Sequence, residues 1–210
     1  MPAQPELLEV YSCQGGAAMG YARAGWKVTC VDLAPQPRNP FPFYRADALD
    51  YIANHGHRFQ AITGGPPCQF YTKAQRIQKN DHPELIAATR EVMRASGKLY
   101  VIENVEEAKP YLNDPITLCG FTFGLRTYRH RLFESNAIIT QPPHLEHHHP
   151  TVKMGRALGP GDFYHAVGNF SGVELVRQDM GVPWMDRDGI RECIPPAYAE
   201  HIGRQLIKEL

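Results

Sequence analysis

The sequence predicts an α/β chain built on a largely parallel sheet, with a small, loop-rich second lobe. Three observations lead there. Apolar runs of strand length alternate with helical patterns over the first two thirds of the chain. The chemically unusual residues fall at the carboxyl ends of those runs. After about residue 135 the periodicity fades into a stretch rich in Pro, Gly and His.

In order, LLEVY reads as a short strand running into a Gly-containing turn, and AAMGYARAGW as the helix after it. KVTCVDL is a second strand that ends on an acid. RADALDYIANHG gives a loop and a short helix, and FQAITGG a third strand entering a Pro-rich turn. Residues 83–96 carry apolar positions at helical spacing, with Pro83 suited to a first turn. KLYVIENV is a further strand with polar residues at its end. Residues 140–190 read as loops and short strands, and PPAYAEHIGRQLIKEL as a closing helix with Tyr198, Ile202, Leu206 and Ile207 on one face. Strands joined through helices make a parallel sheet with right-handed crossovers, and ligands bind beyond the carboxyl ends of its strands. The expected division is residues 1–135 with 181–210 as one domain and 136–180 as a small lobe.

Composition bounds the function. A chain of 210 residues with 43% hydrophobic and 21% charged residues fits an ordinary globular protein with one substantial core. No apolar run nears the roughly 20 residues that span a bilayer, so no membrane partner is expected. The start, MPAQPELLEV, lacks the pattern of a signal peptide, and the expected location is the cytoplasm. Five scattered cysteines, never spaced C-x-x-C, argue against a disulfide framework or a zinc ribbon and leave room for a reactive thiol. Lys+Arg and Asp+Glu balance at 22 each, so net charge lends nothing to a nucleic-acid reading. Local clusters do exist, at Lys73, Arg76 and Lys79 and at Arg126, Arg129 and Arg131, although a solvated surface is the ordinary reading of such groups.

Two motifs bear chemistry. SCQGGAAMG follows a strand and opens a helix, where glycine admits a ligand close to the backbone and the helix end offers free N–H donors. Asp32, ending the next strand, is placed to accept ribose hydroxyls. Alone, this pattern fits an undirected turn as well as a nucleoside site. GGPPCQ is sharper, because two prolines fix the backbone just before Cys68 at a strand end. A lone cysteine is usually an inert packing residue. Glu103, at the end of the neighbouring strand, changes that balance, since a buried carboxyl can hold a proton for a ring nitrogen.

In order and spacing these residues resemble the DNA cytosine-C5 methyltransferase family, over about residues 6–135 and 181–208. Glu9-Val10-Tyr11-Ser12-Cys13-Gln14-Gly15-Gly16 is similar to its first motif, Asp32 to its ribose-binding acid and Asp47 to the acid near the adenine. Pro67-Cys68-Gln69 and Glu103-Asn104-Val105 stand intact. Thr127-Tyr128-Arg129-His130-Arg131 resembles the Gln-x-Arg-x-Arg motif, and Ile194-Pro195-Pro196 keeps part of the last one. Four departures stand out. Cys13 replaces a glycine and Thr127 a glutamine. Arg191-Glu192-Cys193 occupies the place of a Gly-Asn-Ser that in the family helps close over the cofactor, and the target-recognition region is short, with roughly 50 residues between Arg131 and the last motif.

The resemblance implies a Rossmann-like methyltransferase sheet with S-adenosyl-L-methionine as cofactor, held by Tyr11, Ser12, Cys13, Gln14, Gly15, Gly16, Asp32, Leu33, Asp47, Ala48, Gly65 and Pro67. It implies that Cys68 bonds C6 of cytosine, that Glu103 serves N3, and that Arg129 and Arg131 hold the base carbonyl and the active site. DNA is the implied partner, in a bacterial or phage-infected cell, with Gln69, Thr72, Lys73, Arg76, Lys153 and Arg156 as contacts and the target flipped out or single-stranded. A monomer is expected, with a specificity partner as an alternative. Lys153, Arg156, Asn169 and Arg177, with Gln141 as a lesser option, are the candidate base readers, enough for a site of about two or three base pairs. His144, His147, His148 and His149 have no cysteine beside them in sequence, and a solvated loop rather than a metal site is expected. An enzyme acting on RNA or a free pyrimidine nucleotide stays open, as does a relative that binds without turnover. The intact Pro-Cys-Gln and Glu-Asn-Val pair weighs against the latter.

Overall fold

The computed structural model describes residues 3–72, 82–152 and 156–210. Strands β1 (Glu6–Val10), β2 (Lys27–Asp32), β3 (Phe43–Arg45), β4 (Ala61–Gly64) and β5 (Leu99–Asn104) run parallel. Strands β6 (Ile116–Leu118) and β7 (Arg131–Ser135) complete a sheet of order β3-β2-β1-β4-β5-β7-β6, in which β7 is antiparallel to both neighbours.

Successive strand residues point to opposite faces, so a strand covered on both sides must be apolar throughout. Leu7 enters one core and Leu8 the other; Val101 enters the first, while Tyr100 and Ile102 enter the second. The first core is closed by α1 (Gly16–Arg23) and α6 (Pro196–Leu206), the second by α2 (Ala48–His55) and α3 (Ile86–Ala95). This three-layer arrangement is the α/β architecture expected. A third cluster joins Tyr164, Phe170, Val176 and Met180 to Met185, Ile190 and Cys193, so residues on both sides of position 180 share it.

Three differences from the sequence reading have physical causes. Strands β3 and β6 have three residues each and lie at the sheet edges, too short to show alternation. Helix α3 begins at Ile86 rather than near Pro83, because the Glu84 carboxylate accepts the Ile86 N–H (2.9 Å) and the Ala87 N–H (3.3 Å). Residues 140–190 hold helix α4 (Val173–Met180) and the start of α5 (Arg187–Glu192); among the described residues the only pairing there is an isolated bridge between Thr151 and Phe163. At eight and six residues these helices are short, and each buries only two residues, Val176 and Met180 in α4 and Gly189 and Ile190 in α5. No helix among the described residues is long and apolar enough to cross a membrane.

The packing of α1 on α6 seats the first motif. A Cβ at Gly20 would lie 2.1 Å from the Pro196 carbonyl oxygen, so only glycine allows this approach. Trp26 Nε1 donates to the Gly203 carbonyl (3.0 Å) and fixes the other end of the contact. Alanine would gain about 1 kcal/mol of helix propensity at an open site. Here the clash with a backbone atom outweighs that gain. Gly20→Ala should therefore lower stability by about 1–3 kcal/mol, the usual cost of overpacking, read as an earlier urea midpoint. An unchanged midpoint would show that the helices can separate freely.

Candidate active site

At the carboxyl ends of the parallel strands lies a cleft of about 410 Å³, within the size range of small-ligand sites. One end is built by the turn after β1. Tyr11 and Cys13 take φ of 55° and 44°, and Gly15, at φ 80°, starts α1 without a side-chain cap. Left-handed backbone at a non-glycine residue costs about 1–2 kcal/mol and needs support from its surroundings. Asp32 gives it: Oδ2 accepts the Cys13 N–H (2.9 Å) and Oδ1 the Ala34 N–H (3.0 Å). Asn39 Nδ2 donates to the Cys13 carbonyl (3.0 Å). Cys13 thus adopts the conformation that favours glycine, which explains how the turn accommodates it. Asp47 caps α2 through Oδ1, which accepts from Leu49 (2.9 Å) and Asp50 (3.1 Å), and Oδ2 takes no part in either bond.

Tyr11, Ser12, Cys13, Gln14, Gly16, Asp32, Leu33, Asp47, Ala48, Gly65 and Pro67 all line this cleft. Gly15 does not; it sits behind the turn, facing Asn39 and Phe41. The buried Ser12 hydroxyl has no hydrogen-bond partner among the described residues.

At the other end of the same cleft stand Cys68, Gln69, Glu103 and Arg131. Asn104 Nδ2 donates to the Pro66 carbonyl (2.9 Å), tying the prolines before Cys68 to the end of β5. Because β7 runs against β5, with Asn104 opposite Leu132, its first residue emerges where β5 ends. Arg131 Nε meets Glu103 Oε1 at 2.9 Å, both side chains being largely buried. Burial pushes the Glu103 carboxyl above its usual range, with Arg131 and Arg129 opposing. Burial and the Glu103 charge push the Cys68 thiol up, and Arg131 and Arg129 again oppose. The arrangement offers a thiol, a carboxyl inclined to keep its proton and a guanidinium, together in one largely buried corner of the cleft.

Neither the scan of family models nor the search of curated proteins finds a match for this chain. Solved structures do resemble it. A presumed DNA modification methyltransferase encoded within an E. coli prophage superposes with a TM-score of 0.63 at 14% identity, covering 97% of this chain and 99% of that one. The Entamoeba histolytica methyltransferase EhMeth superposes with a TM-score of 0.65 at 11% identity, covering 99% of both chains. The chain has a methyltransferase fold.

Arg129 and Arg131 take different places. Arg129 does not line the cleft; its buried guanidinium donates to the carbonyls of Arg191 (2.6 Å), Cys193 (3.0 Å) and Ala166 (3.3 Å). Five donors in a rigid fork suit such a clamp. Arg129 therefore positions the segment that roofs the cleft, and burial lowers its own pKa to about 10.

Of the roof itself, the sequence marked only Arg191-Glu192-Cys193. Met185, Gly189, Arg191, Glu192, Cys193 and Ile194 line the cleft opposite the first motif. Gln14 holds them: its Nε2 donates to Asp186 Oδ1 (2.9 Å), its Oε1 accepts from the Asp186 N–H (3.2 Å), and its carbonyl accepts from Trp184 Nε1 (2.7 Å).

The nucleic-acid contacts fare unevenly. Lys73, Arg76, Lys79 and Lys153 lie outside the described residues. Thr72 Oγ1 donates to the Gln69 carbonyl (3.3 Å) beside the cleft. Arg156 pairs with Asp162 (3.3 Å), Asn169 accepts from Arg187 (2.8 Å), Gln141 accepts the Thr117 N–H (2.8 Å), and Arg177 Nε donates to the Met185 carbonyl (2.5 Å). Arg177 is thus used within the third cluster. The His-rich run is exposed, and the fold brings Cys119 Sγ within 3.4 Å of His147 Nε2.

Beneath the cleft, Glu9 accepts a hydrogen bond from the Thr63 hydroxyl. Burial pushes its carboxyl up to about 8, against the Thr63 bond and with the nearby Glu103 adding to the rise. A folded-state pKa above the unfolded one gives stability that is complete below the ordinary carboxylate range and lost as pH rises through about 8. Urea unfolding at acidic and mildly alkaline pH should show that loss for the native chain. Glu9→Gln should flatten it; a slope unchanged by the substitution would mean that Glu9 is ionised in the folded state.

Proposed function

We propose that the chain is a DNA cytosine-5-methyltransferase that transfers a methyl group from S-adenosyl-L-methionine to C5 of cytosine, through a transient bond to Cys68 and at a short recognition site. The observation that carries this reading is the Glu103–Arg131 ion pair beside Cys68, in the cleft whose far end holds the first motif with Asp32 and Asp47.

The residues present fit the cofactor. The uncapped start of α1 offers N–H donors, the Ser12 hydroxyl has no partner among the described residues, and Asp32 and Asp47 retain acceptor capacity for hydroxyl and amino groups. When bound, S-adenosyl-L-methionine supplies an electrophilic methyl group on a sulfonium.

Cytosine C5 is too poor a nucleophile to take that methyl unaided. The Cys68 thiolate adds to C6, forming an S–C6 bond and opening the C5–C6 double bond. Glu103 delivers its proton to N3, so the displaced electron pair is held as an enamine and C5 becomes nucleophilic. Arg131 stabilises the carboxylate left on Glu103 and offers donors to the base carbonyl. After C5 gains the methyl, a base removes the C5 proton, the double bond re-forms, the thiolate leaves and N3 returns its proton to Glu103. Burial raises the Cys68 thiol, so it must lose its proton as the base arrives, and Arg131 favours that loss. Gln69 and Thr72, at the mouth of the cleft, are contacts for a nucleotide drawn out of the helical stack.

A duplex carrying 5-fluorocytosine at target positions tests the covalent step, because fluorine cannot depart as a proton does. With S-adenosyl-L-methionine the chain should form a complex that survives denaturation. Cys68→Ser should abolish both trapping and methylation. Near-normal turnover by Cys68→Ser would overturn this mechanism.

A further inference from the structure

Away from the cleft, the edge of the sheet gathers four side chains with no place in the chemistry above. Cys119 follows β6, His130 precedes β7, and His144 and His147 lie on the Pro-rich segment beyond. One donor atom from each lies within 4.8 Å of all the others. His130 Nε2 is 3.0 Å from His144 Nε2, and Cys119 Sγ is 3.4 Å from His147 Nε2. Tetrahedral zinc, with bonds of about 2.0–2.3 Å to nitrogen and sulfur, sets its ligands roughly 3.3–3.7 Å apart.

We propose that Cys119, His130, His144 and His147 form a Zn²⁺ site. A thiolate and three imidazoles are the donor set of a borderline-soft divalent ion, and four protein ligands close the shell, which marks a structural site rather than a catalytic one. The surroundings match. His130 turns its other nitrogen, Nδ1, toward Glu106 Oε2 at 3.3 Å, the outer carboxylate that orients a ligating histidine. The Tyr128 ring stacks on His147 with centroids 3.6 Å apart and holds the imidazole in place. Cys119 is buried while His144 and His147 are exposed, so the metal can arrive from solution and pull the outer segment onto the sheet.

The site has a consequence for the cleft. Arg131 Nη1 donates to the His130 carbonyl (2.8 Å), so an ion on His130 would brace the residue next to the guanidinium that meets Glu103. The metal proposal does not depend on the reaction assigned to that cleft, and its test reads metal rather than methyl transfer.

The chain, without an affinity tag, is exposed to Zn²⁺, dialysed into metal-free buffer and assayed by elemental mass spectrometry. One equivalent of zinc should remain. His144→Ala and His147→Ala, at exposed positions, should fold and lose it, and His148→Ala should keep it. Loaded with Co²⁺ instead, the chain should show intense tetrahedral ligand-field bands and a thiolate charge-transfer band, the latter absent in Cys119→Ser. A chelator should lower the melting temperature of the native chain and leave that of His144→Ala unmoved. No retained zinc in the native chain, or equal retention in His144→Ala and His147→Ala, would overturn the proposal.

Discussion

Strand β7 enters the sheet against the direction of β5, and that reversal sets Arg131 beside Glu103 at 2.9 Å. Removing two charges from water is unfavourable unless each answers the other. Without Arg131, burial would raise the Glu103 carboxyl further. Without Glu103, the guanidinium would face Arg129, a buried cation whose pKa Arg131 already helps to lower, with no carboxylate between them. Together they set the field felt by Cys68, one group raising its thiol pKa and the other lowering it. The chemical character of the cleft depends on this pair.

Distant segments are recruited to hold that geometry. Asn104 fixes the prolines before Cys68, and Arg129 fixes the carbonyls of the roof. Gln14, in the first motif, reaches Asp186 far along the chain. The first motif thus contributes to the floor of the cleft and anchors its cover. The third hydrophobic cluster, with Met185, Ile190 and Cys193 inside it, gives that cover a rigid base. A mobile roof would let water reach the carboxyl that has to keep its proton.

Much of this was legible in the sequence, for identifiable reasons. Strands β1, β2, β4 and β5 are buried on both faces and read as apolar runs, so their ends, and the residues carried there, were correctly located. Cys68, Glu103, Asp32 and the first motif meet in one cleft because parallel strands end on one rim. Edge strands such as β3, where Tyr44 is 53% exposed, bury too little to leave a pattern. The roof residues, Met185 to Ile194, follow the small lobe and pack with it through scattered contacts and short helices, which give no period to read. The role of Arg129 was hidden for another reason, since adjacency to Arg131 in sequence does not reveal which of two nearby residues turns into the core. The cluster of Cys119 with three histidines is likewise a product of the β6–β7 hairpin and of nothing in the spacing of its members.

The central claim is the identity of the atom that receives the methyl group. It is tested most directly by incubating the chain with methyl-labelled S-adenosyl-L-methionine and, separately, duplex DNA, single-stranded DNA, RNA and dCTP, followed by digestion and mass spectrometry of the nucleosides. The account predicts label in 5-methyldeoxycytidine from DNA. Label confined to RNA or dCTP, label on an exocyclic nitrogen, or no label in any arm would contradict it.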